Sequence, residues 1–456
     1  MSNSASRLSS KRRLNYCLAQ LGARKNYVAL QAINDLGWLQ TFYTDLYYGS
    51  LTSRLLASGL LLAGKRSAAS AIRQRCIAGI ARSRVVDFPR FAISNRRRVS
   101  RSRGVQRHEA FLHSGQEFAC RVRNRIRKDT LDGVYAFSSA SLELFQSMPS
   151  DVFKVLDHES PPAVLETQLV SEALQRFPDW TDALPRLDAT SLQQYQLRQQ
   201  AECQVADRVV CPSTFAAKLA IQAGTDPRKV CILPFPMASR FLTDGSGSQD
   251  SSDRPNRLRI LFLGNDAVRK GLPDLVIALE RLAASKNSIE VRGCGAWQIS
   301  RSAWARCRQV METLGSIPRE EVVQQYRWAD VFVIPTYSDA MGVVILEAMA
   351  AGVPVIATTT SGGPDLIRDG VDGFVVSPND SDAIAACLEQ LATDRYLLKF
   401  MSQRSRSRAA EIAQQYPKRL MEILRGQALT ESTANSSSQY SPTLNRDSRE
   451  EQDVRE

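Results

Sequence analysis

The chain has 456 residues, a length that suits two domains of roughly 200 residues better than one compact core. Hydrophobic residues make up 43% and charged residues 23% of it, values that exclude a wholly disordered or fibrous protein. The net charge of +12 is uneven: residues 1–150 hold 25 Lys and Arg against 8 Asp and Glu, so the remainder is mildly acidic.

The start of the chain and its cysteines indicate a cytoplasmic protein. Residues 1–13 are rich in Ser and basic residues, and we expect a disordered basic arm there. None of the nine cysteines forms a CxxC pair, which predicts reduced thiols rather than a metal or redox site. The longest apolar stretch, residues 55–64, is about half the length of a bilayer-spanning helix and predicts a core or interfacial helix.

Two dense basic runs lie in the first 150 residues. The positive electrostatic field of these runs attracts anionic lipid, nucleic acid and phosphorylated acceptors alike. We expect either a solvated helix face or a peripheral contact with the inner face of an anionic membrane; nucleic acid is disfavoured because no recognition motif for it is present. The runs are Arg96, Arg97, Arg98, Arg101, Arg103 and Arg107, and Arg121, Arg123, Arg125, Arg127 and Lys128.

From residue 152 onward, short apolar runs alternate with helical patterns, which predicts βαβ units and parallel sheets in an α/β fold. A Gly- and Ser-rich linker is expected at 244–257, between an N-terminal domain at 14–243 and a C-terminal domain at 258–426. Residues 427–456 are polar and predict a disordered tail.

The predicted strand RILFLG, residues 259–264, is followed by a short loop that carries Arg269, Lys270 and Gly271 into a helix. A helix that begins after a strand and a short loop binds phosphate in α/β proteins, because its free backbone N–H groups and its dipole face the ligand. The two cationic side chains strengthen that attraction. The segment predicts a diphosphate site.

A second constellation follows the predicted strand ADVFVIP. Asp339 and Glu347 stand eight residues apart, with Gly342 between them where a helix can begin. At 3.6 residues per turn, both acids come near one cleft, separated by a helix N-terminus that suits a phosphate. Because carboxylates accept hydrogen bonds from paired hydroxyls, one acid can hold a ribose and the other a hexose. The pattern predicts a nucleotide-sugar site.

These motifs carry a family resemblance. Residues 259–425 resemble the catalytic domain of the retaining GT-B glycosyltransferases of group 1 (family 4 type), which include glycogen synthases and mannosyltransferases. The likeness rests on G-x5-K-G at 264–271, the E-x7-E-like pattern, LEAMAAGVPVIA and GGPDLIRDGVDG. It extends more weakly, through QLGARKNY and VVCPS, over most of 14–425. It implies two Rossmann-like domains that face each other across a donor–acceptor cleft, with the last long helix crossing back to the first domain.

The resemblance also implies roles for individual residues. Lys270, with Arg269, would pair with the donor diphosphate, while Glu347 would hold the ribose and Asp339 the transferred sugar. Catalysis would rest on positioning and on stabilising diphosphate charge, with Asp339, Arg269, Lys270 and His158 as the catalytic set. The expected donor-binding residues are Gly264, Asn265, Arg269, Lys270, Ser316, Ile317, Asp339, Gly342, Val343, Val344 and Glu347.

On the acceptor side the resemblance points to the loop that contains Gly22 and Arg24. It also points to the end of strand VFKVL, where Asp157 or His158 would touch the transferred sugar. A simple tight turn and a loop histidine without a role are the alternatives. In the same domain, we interpret Arg198 and the glutamate four residues later, Glu202, as an exposed helical ion pair.

Two positions depart from the family pattern. Asp339 stands for a Glu and is one methylene shorter, and Asn265 replaces a common Arg, for which Arg269 is the expected substitute. Asp380 and Asp382 spell D-x-D at a helix start, which we interpret as a cap rather than a metal site. We expect no metal and no cofactor, the nucleotide diphosphate sugar being a substrate.

The expected function is retaining, metal-independent transfer of a hexose from a nucleotide diphosphate sugar to a glycan, lipid-linked or small-molecule acceptor, in cell-surface polysaccharide or glycoconjugate synthesis. The basic first domain favours an acceptor at the membrane surface. The departures at Asp339 and Asn265 keep one alternative open, a catalytically degenerate regulatory protein that binds nucleotide sugars.

Overall fold

A computed structural model describes residues 13–102, 106–182, 188–235, 257–283 and 288–427. Apart from their edge residues 13, 257 and 427, the predicted basic arm and tail lie outside these ranges, as does the predicted linker. The described residues form two α/β units, each built on one parallel sheet, which confirms the expected fold class.

The N-terminal sheet has seven parallel strands in the order β3-β2-β1-β4-β5-β6-β7. Its central strands β1 and β4 are buried along their whole length, as expected for a parallel sheet covered on both faces. The strands are β1 Tyr16–Gln20, β2 Leu39–Thr44, β3 Val85–Asp87, β4 Gly133–Phe137, β5 Phe153–Asp157, β6 Arg208–Cys211 and β7 Val230–Ile232. Its helices are α1 Val28–Asp35, α2 Leu51–Leu62, α3 Arg66–Arg73, α4 Pro89–Arg101, α5 Gln106–Arg123, α6 Leu142–Gln146, α7 Ala163–Arg176, α8 Ala189–Val205 and α9 Thr214–Gln222.

The C-terminal sheet has six parallel strands in the order β10-β9-β8-β11-β12-β13. The predicted strands at 259–264, 329–335, 353–359 and 373–377 all appear in it. The strands are β8 Leu258–Leu263, β9 Ile289–Cys294, β10 Glu312–Gly315, β11 Val331–Ile334, β12 Val355–Thr358 and β13 Gly373–Val376. Its helices are α10 Leu272–Ala283, α11 Arg301–Val310, α12 Arg319–Trp328, α13 Val343–Ala350, α14 Gly363–Leu366, α15 Ser381–Thr393 and α16 Arg395–Leu424.

The last helix, α16, joins the two units. It packs on α13 in the C-terminal unit and on α1 in the N-terminal one. At its end, the hydroxyl of Tyr16 donates to the carbonyl of Leu424, and Arg208 donates to the carbonyl of Gly426 at 3.0 Å. The Arg425 guanidinium lies over the Trp38 ring at 5.3 Å. The carboxyl-terminal end of α16 therefore belongs to the packing of the first domain.

In each sheet the strand order reverses beside the first strand of the domain, between β1 and β4 and between β8 and β11. Open α/β sheets bind ligands at such switch points, beyond the carboxyl ends of the strands. The fold therefore singles out the loops after β1 and β8. No helix among the described residues combines the length and apolar character that crossing a bilayer requires.

Candidate nucleotide-sugar site

A cavity of about 680 Å³ opens between the two domains. Loops at the carboxyl ends of strands from both sheets form its walls. Its size lies within the range of small-molecule sites. The N-terminal domain contributes Ala23, Arg24, Lys25, Glu159, Ser160 and Phe235. Of the predicted donor residues, the structure brings together Gly264, Asn265, Ser316, Ile317, Asp339, Gly342, Val343, Val344 and Glu347 around this cavity.

The loop after β8 is shaped by glycines. Gly271 has a φ of 75°, and a Cβ there would lie 1.8 Å from the carbonyl oxygen of Pro335. Only glycine permits this close approach of α10 to the end of β11. The preceding residue, Lys270, packs its side chain against Gly264 and extends its ammonium group to the carboxylate of Asp339. Lys270 thus reaches the cavity wall through Asp339.

Asn265 ties two loops together. Its side-chain oxygen accepts the N–H of Ala296 at 3.1 Å, and the ring N–H of Trp297 donates to the carbonyl of Gly264 at 2.6 Å. Gly295 completes the contact, since a Cβ at this position would come within 2.0 Å of the same carbonyl oxygen. The residue that replaces the family's Arg therefore lines the cavity and also fixes the loop after β9.

The carboxylate of Asp339 is engaged by its own chain. Its Oδ1 accepts the N–H groups of Gly342 at 2.9 Å and Met341 at 3.3 Å, and its Oδ2 meets Lys270. Burial raises the pKa of this carboxyl, but Lys270, Arg269 and the Gly342 N–H outweigh it, so the pKa lies below its ordinary value. Asp339 is consequently an anion held at the start of α13.

The N-terminus of α13 faces the cavity with Val343 and Val344. Its cap residue, Gly342, has a φ of 74°, a left-handed conformation that favours glycine. The first N–H groups of an α-helix have no acceptor within the helix and carry partial positive charge. Backbone groups of this kind bind phosphate in other α/β proteins, so this wall has the properties of an anion site.

One turn further along α13, Glu347 also lines the cavity and is 7% exposed. The hydroxyl of Tyr326 donates to its Oε2 at 3.3 Å, and the guanidinium of Arg319 approaches its Oε1 at 3.4 Å. Arg319 also lines the cavity, a role that the sequence analysis missed. Both contacts orient the carboxylate, and carboxylate oxygens are acceptors suited to hydroxyl groups.

Arg269 takes a different direction from Lys270. Its guanidinium donates to Asp266 at 3.1 Å and to the carbonyl of Ser338 at 2.9 Å, and lies 3.9 Å from Glu166 on α7 of the N-terminal domain. It is absent from the cavity lining. Burial raises the pKa of Glu166, whose neighbours also include Asp339. A contact between the two domains therefore lies next to Asp339, outside the residues that line the cavity.

On the opposite wall, two ion pairs fix the loop after β1. Arg24 donates to Glu159 at 2.7 Å, and Lys25 donates to the buried carboxylate of Asp157 at 2.5 Å. Lys25 has a φ of 49° and lies 4.8 Å from the centre of the Phe235 ring. Sequence analysis missed Lys25, although it follows the predicted Arg24 directly. Gly22 supplies the left-handed turn before this loop and does not line the cavity.

Asp157 and His158 lie behind this wall and do not line the cavity. Asp157 also accepts a hydrogen bond from the hydroxyl of Tyr135 at 2.6 Å. Both of its carboxylate oxygens are therefore engaged by side chains of the N-terminal domain. His158 is 1% exposed, and burial lowers its pKa from 6.5 to about 4, which keeps the ring neutral at pH 7. Its Nδ1 has no hydrogen-bond partner among the described residues. The expected contact of His158 with the sugar stays a prediction.

Arg198 and Glu202 form the predicted helical ion pair, with 3.6 Å between Nε and Oε1, but the pair is buried, so its interpretation as exposed is wrong. Glu202 is fully buried and accepts the backbone N–H groups of Ser139 at 2.6 Å and Ser141 at 2.9 Å, and that of Leu142. Arg198 also donates two hydrogen bonds of 2.7 Å to Glu143. Helical spacing alone did not reveal that this face of α8 packs on the loop after β4.

The capping interpretation of the D-x-D sequence is confirmed. Asp380 accepts the N–H of Ala383 at 2.8 Å, three residues into α15, as an N-cap does. Asp382 points away and pairs with Arg281. Among the described residues, no group of His, Cys, Asp and Glu has the arrangement of a metal site. Independence from metal stays a prediction.

Comparison with known proteins relates the C-terminal unit to a family of enzymes. Residues 257–394 match the model of the glycosyl transferases group 1. The chain is 30% identical over 159 residues to the sulfoquinovosyl transferase SQD2 of Arabidopsis thaliana, a match that covers 34% of this chain and 31% of that protein. The matched segment thus spans about a third of that relative's length.

Two solved structures share the fold over nearly their whole length. Sucrose-phosphate synthase from Thermosynechococcus elongatus has a TM-score of 0.55 at 16% identity, over 91% of this chain and 99% of that one. HepE of Anabaena, solved in complex with UDP-glucose, has a TM-score of 0.54 at 14% identity, over 91% and 100%. These likenesses confirm the expected architecture of two Rossmann-like domains across a cleft.

Proposed function

We propose that the protein, whose residues 257–394 match the model of the glycosyl transferases group 1, transfers a hexose from a nucleotide diphosphate sugar to an acceptor, with retention of anomeric configuration and without a metal. One observation carries the proposal: Asp339, which pairs with Lys270, and Glu347 line the same cavity as the first residues of α13. That arrangement matches the pyrophosphate, sugar and ribose of one donor.

The diphosphate would lie between Lys270 and the first N–H groups of α13. Its two phosphates carry more negative charge than the carboxylate of Asp339 and would compete with it for the ammonium group of Lys270. As the bond to the sugar breaks, negative charge grows on the leaving diphosphate. Preorganised cations and amide dipoles stabilise that charge without reorganising, which is their main contribution to rate.

The ribose would be held by Glu347, whose carboxylate is oriented by Tyr326 and Arg319. The base would then reach the loop of Ser316 and Ile317 after β10. The solved structure of HepE contains UDP-glucose, which makes a uridine donor the first one to test. The leaving phosphate would take the proton of the acceptor hydroxyl on the same face as the new bond, which preserves the configuration.

The acceptor would enter from the N-terminal wall, where Arg24, Lys25 and Glu159 face the cavity. An acceptor hydroxyl must approach the anomeric carbon closely, and positioning of this kind contributes much of the catalysis in such reactions. The excess of basic residues in this domain favours an acceptor carried by lipid or glycan at the inner membrane surface, in cell-surface polysaccharide or glycoconjugate synthesis.

The alternative is a degenerate regulatory protein that binds nucleotide sugars without turning them over. It is favoured by Asp339, which is occupied by its own backbone, and by Asn265 in place of the family's Arg. Release of nucleotide from UDP-, GDP- and ADP-sugars with a panel of acceptors separates the two. Turnover of one sugar supports the enzyme, whereas tight binding with no turnover on any acceptor supports the regulator.

A further inference from the structure

Helix α2 turns a row of leucines towards solvent. Leu51 is 75% exposed, Leu55 64% and Leu62 91%. Their spacing of four and seven residues places all three on one face of the helix, while Ala57 lies on the opposite face, buried against the domain. Single exposed leucines are common, but three aligned on one helix face form an apolar stripe of the kind that marks an interaction surface.

The stripe does not serve the packing of the domain. α2 forms a hairpin with α3, and its inner face packs in a small cluster with Leu46 and Ile72. Ala92 at the start of α4 closes that cluster. The core contacts of the hairpin are thus made by its inner side, and the leucine stripe remains available for another surface.

Positive charge surrounds the stripe. Residues 46–86 contain seven Lys and Arg and no Asp or Glu. Arg54 lies beside the stripe, and Lys65 and Arg66 follow its carboxyl-terminal end; all three side chains are exposed. Within the part of the chain that the structure describes, none of these three forms an ion pair. Their charge is therefore free to act on an external partner.

We propose that the α2–α3 hairpin docks the protein on an anionic lipid bilayer. The leucines Leu51, Leu55 and Leu62 enter the boundary between head groups and acyl chains, and the three flanking cations contact lipid phosphates. An apolar helix face bordered by Lys and Arg is the arrangement found in helices that lie in a membrane interface. The proposal extends the proposed function and rests on it for its purpose, since docking would bring a lipid-borne acceptor to the cleft.

A second copy of this chain is a less suitable occupant. A symmetric dimer brings the same surface patch of both copies together. Arg54, Lys65 and Arg66 of one copy would then face the same cations of the other, and like charges in an interface disfavour association. An anionic bilayer complements both features, because its acyl chains accept the apolar stripe and its phosphates attract the positive charge.

The test is co-sedimentation of the full chain with vesicles of phosphatidylcholine alone and of phosphatidylcholine mixed with phosphatidylglycerol. We expect binding to the mixed vesicles that weakens at high salt, and little binding to the neutral ones. Replacing Arg54, Lys65 and Arg66 with Gln should weaken binding about 100-fold, because each cation near such a surface contributes a factor of about five.

The apolar part is tested by a variant that carries Leu51→Ser, Leu55→Ser and Leu62→Ser, which should lower vesicle binding by at least about tenfold. The matched control carries Leu197→Ser and Tyr396→Ser, which are 56% and 91% exposed on other helices, and should bind like the wild type. Thermal unfolding and nucleotide binding in solution, measured on both variants, show that each is folded.

Three outcomes overturn the proposal: a wild type that ignores anionic vesicles, a leucine variant that binds them as the wild type does, and a leucine variant that only loses self-association. Nucleotide binding without vesicles is independent of all three. A failure of docking is therefore distinguishable from a failure of the proposed function.

Discussion

Lys270 and Asp339 form an ion pair at the wall of the cavity, although 69 residues separate them in the chain. The pair joins the loop after β8 to the loop after β11, the two strands between which the order of the C-terminal sheet reverses. Asp339 in turn accepts backbone N–H groups at the start of α13. A cation, a carboxylate and a helix N-terminus are thus assembled at one point.

Replacing Lys270 with Met should lower kcat by about 100- to 1,000-fold with the best donor, the usual cost of losing one preorganised group that stabilises developing charge. KM for the donor should change less, because the interaction grows as the leaving group forms. Initial rates of nucleotide release measure both constants. Lys399→Met, at an exposed position on α16, is the control and should behave like the wild type. An unchanged kcat in Lys270→Met would remove Lys270 from the mechanism.

Arg269 offers a test of how the missing family arginine is replaced. If its guanidinium reaches the diphosphate, Arg269→Ala should weaken donor binding by about 1–3 kcal/mol, the cost of a lost hydrogen bond to a charged group. Calorimetric titration with the donor measures this. Glu166→Gln removes the charge that Arg269 faces across the domains and serves as the comparison. Unchanged donor affinity in Arg269→Ala would assign Arg269 to the domain contact instead.

Buried His158 predicts a specific dependence of stability on pH. Its pKa falls from 6.5 to about 4 in the folded protein, so between these values the unfolded chain binds the extra proton. Stability from this group is therefore complete above pH 6.5 and declines as the pH falls towards 4, by about 3 kcal/mol at most. Urea unfolding at pH 7 and pH 5 should show a smaller loss for His158→Asn than for the wild type. Equal losses would contradict the burial of a neutral ring.

Glu202 should be among the most sensitive positions of the N-terminal domain. Glu202→Ala leaves the buried N–H groups of Ser139, Ser141 and Leu142 without their acceptor, and we expect a loss of about 3 kcal/mol or more in the free energy of unfolding. Exposed Glu389→Ala is the control and should change it by less than about 0.5 kcal/mol. Similar values for the two variants would show that the Glu202 carboxylate does not hold this loop.

The sequence predicted those parts of the site that depend on local geometry. Gly271 and Asp339 lie in short strand–loop–helix segments, whose chemistry follows from spacing along the chain. The strands β9 and β10 were less evident: IEVRGC mixes charge and glycine into its apolar run, and β10 is a partly exposed edge strand with an irregular register. Edge strands bury fewer side chains and so carry a weaker apolar pattern.

Long-range pairs were beyond sequence reasoning. Lys25 meets Asp157 across 132 residues, and Arg269 faces Glu166 across the two domains. No periodic pattern in the sequence predicts these contacts. They depend on the position of β1 near β5 in the sheet and on the packing of the two domains. The error for Arg198 and Glu202 has a different cause. Their helical spacing suggested a pair on the surface, but tertiary packing buries Glu202.

The central claim is that one cavity binds a nucleoside diphosphate through the α13 wall and Glu347. The most direct measurement is calorimetric titration of the wild type and of Glu347→Ala with UDP, GDP and ADP. We predict that the wild type binds one of them, and that the variant binds it more weakly by about 1–3 kcal/mol, the cost of a lost charged hydrogen bond. Failure of the wild type to bind any of the three, or equal affinity in the variant, would contradict the account.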